Sequence, residues 1–336
     1  MRMRWLLAML AALGSWPAAA QTSAPLPDGP LFMAYYESWT ELPVPIASAT
    51  RLANLPGYID VVAISFVRPD LTYDGRSLQG TGLQVPFDSA VLAQAIAKAK
   101  TRNPRLKVLL AVGGSSYSAG WSAFAAAPLA QLVNTLGADG VDLDFEPADP
   151  QCRPQMIGGA SSVVCATDGK WAEFITKTRA VLPRPALLTL PAWSVGAYGQ
   201  KGFEHEQPSG RYTGSMLWLQ RLPEARELDL IAIMAYDAGP SFDPGRALAA
   251  YQAIAPTRVL LGVEVPPDAN GGATYSVERM KKYAAQQAGQ KQGGIMLYSL
   301  TRGAPGGDSS VLPDAAMCAY ALCSALGRTG CEEPLP

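Results

Sequence analysis

Short apolar runs recur along the 336-residue chain, separated by longer stretches in which apolar residues return every three or four positions. Eight runs read as strands: LFMAYYES (31–38), IDVVAISFV (59–67), RLKVLLAVGG (105–114), GVDLDFE (140–146), PALLTLPA (185–192), LDLIAIMAYD (228–237), TRVLLGVEV (257–265) and GGIMLYSL (293–300). Most are continuous in Val, Ile and Leu rather than alternating, as strands covered on both faces are. Between them, SAVLAQAIAKAKTRN, WAEFITKTRAVL and SVERMKKYAAQQAG have helical spacing. Strand-then-helix units in this number predict an α/β protein, a (β/α)8 TIM barrel in a single domain. The competing open, doubly wound sheet loses ground because no GxGxxG follows the first strand.

One run breaks the apolar pattern. In DGVDLDFEP (139–147), acidic and apolar residues alternate. Side chains change face at every residue of a strand, so Asp142, Asp144 and Glu146 share one face, successive members about 7 Å apart. Val141, Leu143 and Phe145 share the other. In a barrel the apolar face meets the helices and the acidic line points inward, with Glu146 at the C-terminal mouth, where barrel active sites lie. Carboxylates crowded in a partly dry interior have raised pKa values, so one can hold a proton near neutral pH and serve as a general acid. Glycoside hydrolysis needs such a protonated carboxyl beside an ionised one. An alternating acidic strand is also what a half-exposed antiparallel sheet shows. A calcium loop does not fit: counted from Asp142, Pro147 stands where Gly is needed and Arg153 at the bidentate Glu position.

Composition narrows the setting. The chain is 49% hydrophobic and 16% charged with a net charge of −1, which offers no electrostatic footprint for nucleic acid or an anionic membrane. Arg2 and Arg4 precede the apolar WLLAMLAALGSW, then PAAAQT with small residues at Ala18 and Ala20. This predicts a signal peptide over residues 1–20, removed on export, and a secreted or periplasmic protein of residues 21–336. An exported chain can form disulfides. Cys152 and Cys165 bracket one polar loop and make a plausible pair. Cys318 and Cys323 fall in a helical pattern (DAAMCAYALCSAL) and point about 140° apart, so one of them closes on Cys331 and one thiol is left over. The spacings and the single histidine, His205 in a polar loop, argue against zinc and against a Ser-His-Asp hydrolase, for which no GxSxG is present either.

The motifs together resemble glycoside hydrolase family 18, the chitinases and their relatives. DGVDLDFE is similar to the family's DGxDxDxE signature, AYYESW to its first-strand GYYxxW, LLAVGG to its third-strand SxGG, MAYD (234–237) to its sixth-strand MxYD, and GGIMLYSL to its eighth-strand GGxMxW. The resemblance covers nearly the whole mature chain and implies the same barrel. It implies retaining hydrolysis of β-1,4 links between N-acetylglucosamine units, with the substrate's acetamido group as nucleophile. In that scheme Glu146 is the acid and later the base, Asp144 orients the acetamido group and balances the oxazolinium charge, Asp142 is its buried partner, and Tyr236 donates to the acetamido oxygen. Asp139, Tyr35 and Asp237 support them. Met234 shares a strand face with Tyr236, and Tyr298 stands where the family has a Trp under the cleaved sugar. Ala111 replaces the SxGG serine, a lost hydroxyl that Ser65 could supply. Trp39, Tyr117, Trp193 and Tyr198 follow strand ends and are candidate sugar platforms. There is no room for the α+β domain that many family members insert between strands seven and eight, so a shallow, open, endo-acting groove is expected. The expected partner is chitin or an N-acetylglucosamine oligosaccharide, with no cofactor or metal, no nucleic acid and no membrane, and a monomeric protein. Two other readings compete: an endo-β-N-acetylglucosaminidase acting on glycan cores, which shares the signature, and a catalytically weak chitin-binding barrel of the kind that usually lacks the acid. The acid Glu146 argues against the latter.

Overall fold

The structure is a computed structural model that describes residues 25–267, 275–302 and 312–336. The expected signal peptide lies outside the described residues. Eight parallel strands close into a barrel in the order β1-β10-β9-β8-β7-β4-β3-β2. They are β1 (Leu31–Glu37), β2 (Val61–Val67), β3 (Lys107–Gly113), β4 (Gly140–Asp144), β7 (Leu187–Trp193), β8 (Leu230–Met234), β9 (Arg258–Glu264) and β10 (Gly294–Tyr298). The fold is the predicted (β/α)8 barrel. Its helices are α1 (Ser89–Arg102), α2 (Ala126–Leu136), α3 (Asp168–Val181), α4 (Pro244–Gln252), α5 (Val277–Gln287) and α6 (Ala315–Ala325). Acceptor side chains cap four of them: Asp88, Asp243, Ser276 and Asp314 each accept a first-turn N–H.

Two connections depart from the strand-then-helix pattern. Between β1 and β2, and between β7 and β8, the described chain forms only short 3-10 turns. Pro43, Pro45 and Pro56 interrupt the first segment, and Pro208, Pro223 and several glycines the second, so neither can extend an α-helix. A second departure is an antiparallel hairpin, β5 (Arg153–Ile157) and β6 (Ala160–Val164), in the stretch expected to be a polar loop. All five residues of β5 are exposed, so that strand has no buried face to write a period-two pattern into the sequence. The Cys152–Cys165 disulfide closes its base. A second disulfide joins Cys323 to Cys331 and leaves Cys318 of α6 free and buried.

Two apolar layers fix the barrel. The outer one, between strands and helices, includes Val141, Leu143 and Phe145 of the acidic segment. Phe145 meets Trp121, Trp171 and Phe174 at ring-centroid distances of 5.2, 5.4 and 5.1 Å. The inner layer is smaller and lies below the cleft: Leu31, Met33, Val61, Leu109, Ala111, Leu187, Leu230, Leu260 and Met296. The aromatic anchor on one face of β4 holds the opposite face toward the barrel axis.

The N-terminal end of the barrel is closed by a repeated device. Asp60, Asp139 and Asp229 each lie just before a strand and accept the N–H of a neighbouring strand: Phe32 at 2.9 Å, Val108 at 2.7 Å and Leu188 at 2.9 Å. Each also meets a cation: Arg328 on Asp60 at 2.7 Å, Lys100 on Asp139 at 2.8 Å and Arg179 on Asp229 at 2.7 Å. Conservatively built ends of this kind hold a barrel together rather than serve its chemistry.

Candidate active site

The C-terminal mouth holds a cleft with a cavity volume of about 620 Å³, lined among others by Tyr35, Phe66, Asp144, Glu146, Trp193, Arg211, Tyr212, Met234, Tyr236, Asp237, Glu264 and Tyr298. The acidic line of β4 runs up into it. Asp142 is fully buried and accepts hydrogen bonds from the Tyr35 hydroxyl at 2.5 Å and from the Thr189 hydroxyl. Asp144 is next; it shares a hydrogen bond with Glu146, and its buried Oδ1 has no hydrogen-bond partner among the described residues. Glu146 lies two residues beyond the last paired residue of β4 and accepts the Ser115 backbone N–H.

A glycine pair lets β3 reach this point. Gly113 and Gly114 have φ of +107° and +69°, and the Gly114 N–H donates to the Asp144 carbonyl at 2.9 Å. A Cβ on Gly113 would stand 2.3 Å from that carbonyl oxygen, so only glycine permits the approach that brings Ser115 to Glu146.

The register explains the missing hydroxyl. Ala111 and Thr189 are the two neighbours of Asp142 across the sheet, on β3 and β7. Where β3 carries an alanine, β7 supplies the hydroxyl. Ser65 does not fill this role, because its hydroxyl donates to the Tyr36 carbonyl. Thr189 was absent from the residues expected from sequence, yet it is the one polar side chain in the run PALLTLPA and lies on its inward face.

Burial dominates the electrostatics. Asp142 is pushed up to about 6 by burial, against the pull of its two hydroxyl donors. Glu146 is pushed up to about 7 by burial, opposed by the Ser115 N–H and by Asp144. Asp144 is raised by burial and by the charges of Glu146 and Asp142. Three carboxyls without a cation between them therefore hold protons well above the usual carboxylate range. Burial first, then Asp142 for Tyr35 and the Tyr298 phenol followed by nearby acids for Tyr236, pushes both phenols up, so both remain hydrogen-bond donors at working pH.

The other expected residues separate. Met234, Tyr236, Asp237 and Tyr298 line the cleft, with Tyr298 stacked on Tyr236 at 6.0 Å and edge-on to Tyr35 at 5.6 Å. Tyr236 lies two residues past the end of β8, and Asp237 has φ of +52° in the turn that follows. Trp193 lines the cleft and stacks on Tyr212 at 3.9 Å. Trp39 is 42% exposed and stacks on Phe66 at 6.0 Å, outside the cleft lining. Tyr117 packs against the inner layer, with its hydroxyl on the Gly82 carbonyl at 3.1 Å. Tyr198 is 1% exposed and cannot present a ring to a sugar; it belongs to the outer core. Asp139 has its contacts at the opposite end of the barrel, with Val108 and Lys100. His205 is an exposed loop residue. Sequence patterning did not reveal Glu264, a buried carboxylate in the cleft paired with Arg302, or Tyr212 and Arg211 of the β7–β8 loop.

A closed parallel barrel with a carboxylate line rising into its C-terminal mouth is the architecture of a (β/α)8 glycosidase-type domain. The sequence profile of Glycosyl hydrolases family 18 matches residues 31–302, and the chain belongs to that family. A chitinase of Plasmodium falciparum (isolate 3D7) is 33% identical over 187 residues, which span 52% of this chain and 45% of that protein. The chain thus matches less than half of that relative's length. Two solved structures share the fold: a family GH18 chitinase from Chromobacterium violaceum, at 16% identity and TM-score 0.62 over 90% of this chain and 85% of that one, and a GH18 chitinase from Pseudoalteromonas aurantia, at 19% identity and TM-score 0.57 over 81% of this chain and 94% of that one. Among the described residues no helix is long and apolar enough to cross a membrane.

Proposed function

We propose that the protein is an exported, monomeric, endo-acting chitinase that cleaves β-1,4 links between N-acetylglucosamine units with retention of configuration. The observation that carries this is the Asp144 carboxyl: it shares a hydrogen bond with Glu146, and its buried Oδ1 has no hydrogen-bond partner among the described residues. A buried acceptor in this state costs free energy until a donor arrives. A substrate acetamide N–H is such a donor. With it held, the Tyr236 hydroxyl, across the same cleft, donates to the acetamide oxygen and aims it at the sugar's anomeric carbon. That oxygen attacks as the bond to the leaving oxygen breaks, and Glu146 delivers its proton to the leaving oxygen.

The resulting oxazolinium is cationic, whereas the bound substrate is neutral. Asp144, with its charge supported by the donors on Asp142, stabilises the former more, which is the condition for acceleration. Glu146, now ionised, takes a proton from water, and the water oxygen opens the oxazolinium at the anomeric carbon. Two displacements return the original configuration. Tyr298 and Trp193 offer ring faces to the sugars. The described connection between β9 and β10 holds one helix, α5, which supports an open groove and internal cutting.

Chitin hexamer supplies the test. Mass spectrometry of early products should give mixed internal fragments, and NMR should show the β-anomer first. Glu146→Gln should abolish turnover and keep oligomer binding. Release of glycans from a high-mannose glycoprotein with no attack on chitin would overturn the proposal, as would wild-type turnover no greater than that of Glu146→Gln.

A further inference from the structure

The wall of the cleft next to Glu146 carries a cation that a neutral chitin chain does not require. Arg211 lines the cleft and is exposed, and its guanidinium lies over the Tyr212 ring at 5.2 Å. Tyr212 in turn stacks on Trp193 at 3.9 Å with the ring planes 14° apart. Among the described residues Arg211 has no ion-pair partner, whereas Arg302, the other arginine at this mouth, is held by Glu264. The stack is anchored: the Tyr212 hydroxyl donates to the carbonyls of Pro147 and Ala148, each at 3.2 Å, immediately after Glu146. The loop carrying it is backed by the disulfide-closed hairpin. Gly214 packs on Val163 of β6, where a Cβ would meet that side chain at 2.6 Å, and Arg221 holds the Val163 carbonyl at 2.9 Å. The ring under the guanidinium thus belongs to a braced wall, which lowers the cost of using that wall in binding.

Position gives the wall its meaning, and here the inference rests on the function proposed above. Asp144 and Tyr236 hold the acetamido sugar on one side of the cut bond, and Glu146 protonates the oxygen that departs on the other. Tyr212 and Arg211 lie beyond Glu146, where the leaving sugar sits. We propose that this subsite recognises a leaving-side sugar bearing a carboxylate, with Arg211 as the specificity-determining residue and Trp193–Tyr212 as its platform. The substrate class is a β-1,4-linked amino-sugar glycan whose alternate residues carry an acidic ether, such as a lactyl group on O3. A planar guanidinium matches a carboxylate with two parallel hydrogen bonds, a geometry that sugar hydroxyls do not offer.

The test compares two tetrasaccharides by calorimetry on the Glu146→Gln protein, one of N-acetylglucosamine alone and one alternating N-acetylglucosamine with N-acetylmuramic acid. The acidic ligand should bind more tightly. Adding Arg211→Gln should weaken it about tenfold, the size of a charge-assisted hydrogen bond, and change the neutral ligand less than twofold. Arg211→Lys should recover part of the loss, and amidating the carboxylate should reproduce it. With Glu146 restored, Arg211→Gln should raise KM for the acidic ligand and leave kcat unchanged. Equal binding of both ligands by the Glu146→Gln protein overturns the proposal, as does a loss on Arg211→Gln that is the same for both. Binding of neither ligand removes the family-type function and this inference with it, whereas binding of the neutral ligand alone removes only this inference.

Discussion

The two ends of the barrel use the same residue type in opposite ways, and β4 spans both. At its start Asp139 accepts the Val108 N–H and pairs with Lys100. At its end and just beyond it, Asp144 and Glu146 share a hydrogen bond with each other and meet no cation among the described residues, and burial raises both. The paired acids tie adjacent strands together. The unpaired ones cost stability in return for protons held where chemistry can use them. An acid's neighbours, more than its type, decide whether it stabilises the fold or does work.

The largest expected effect separates the two ends through activity. Glu146→Gln should lower kcat by about 10²–10⁴-fold, the usual worth of a positioned acid–base group, while Asp139→Ala should leave kcat of the folded fraction unchanged. The reverse should hold for stability. Asp139→Ala strands the buried Val108 N–H and removes the ion pair with Lys100, and should lower unfolding free energy by about 1–3 kcal/mol in urea titrations. If Asp139→Ala were to abolish turnover in a protein of normal stability, the comparison would break.

Glu146→Gln should also gain stability, with a sign fixed by its pKa. The group moves from about 4.5 in the unfolded chain to about 7 in the fold. Below pH 4 both states are protonated and no cost exists. The cost grows between pH 4.5 and 7 and is complete above 7. The variant should therefore be more stable than the parent by about 3 kcal/mol at pH 8, with little advantage at pH 4. A constant difference across that range would contradict the assignment.

The pH–rate profile should fall on its alkaline side near pH 7, as Glu146 loses the proton it must donate. The smallest effect concerns Thr189. Its hydroxyl favours the ionised form of Asp142, so Thr189→Val should move the acid side of the profile upward by about one unit with the alkaline side unchanged. Equal movement of both sides would show a general loosening of the site instead.

The barrel and the face of β4 were legible in the chain because both follow from periodicity. Buried parallel strands are continuous in apolar residues, and a period of two puts Asp142, Asp144 and Glu146 on one side whatever surrounds them. Side chains beyond strand ends were less legible. Trp193 ends β7 and Tyr198 follows it by five residues, yet one lines the cleft and the other is core, because the chain turns back between them. Strand β5 of the hairpin left no pattern because all of its residues are exposed.

What the sequence determined by itself was the fold class and the order of acids along one strand, since these depend on local geometry that repeats with fixed period. What only the tertiary structure decided was which groups meet. Thr189, 47 residues from Asp142, supplies the hydroxyl that Ala111 lacks. Asp139 belongs to the bottom clasp, Cys323 rather than Cys318 closes on Cys331, and Arg211 is braced beyond Glu146. Each of these depends on strand register and loop return across long separations, which no local spacing encodes.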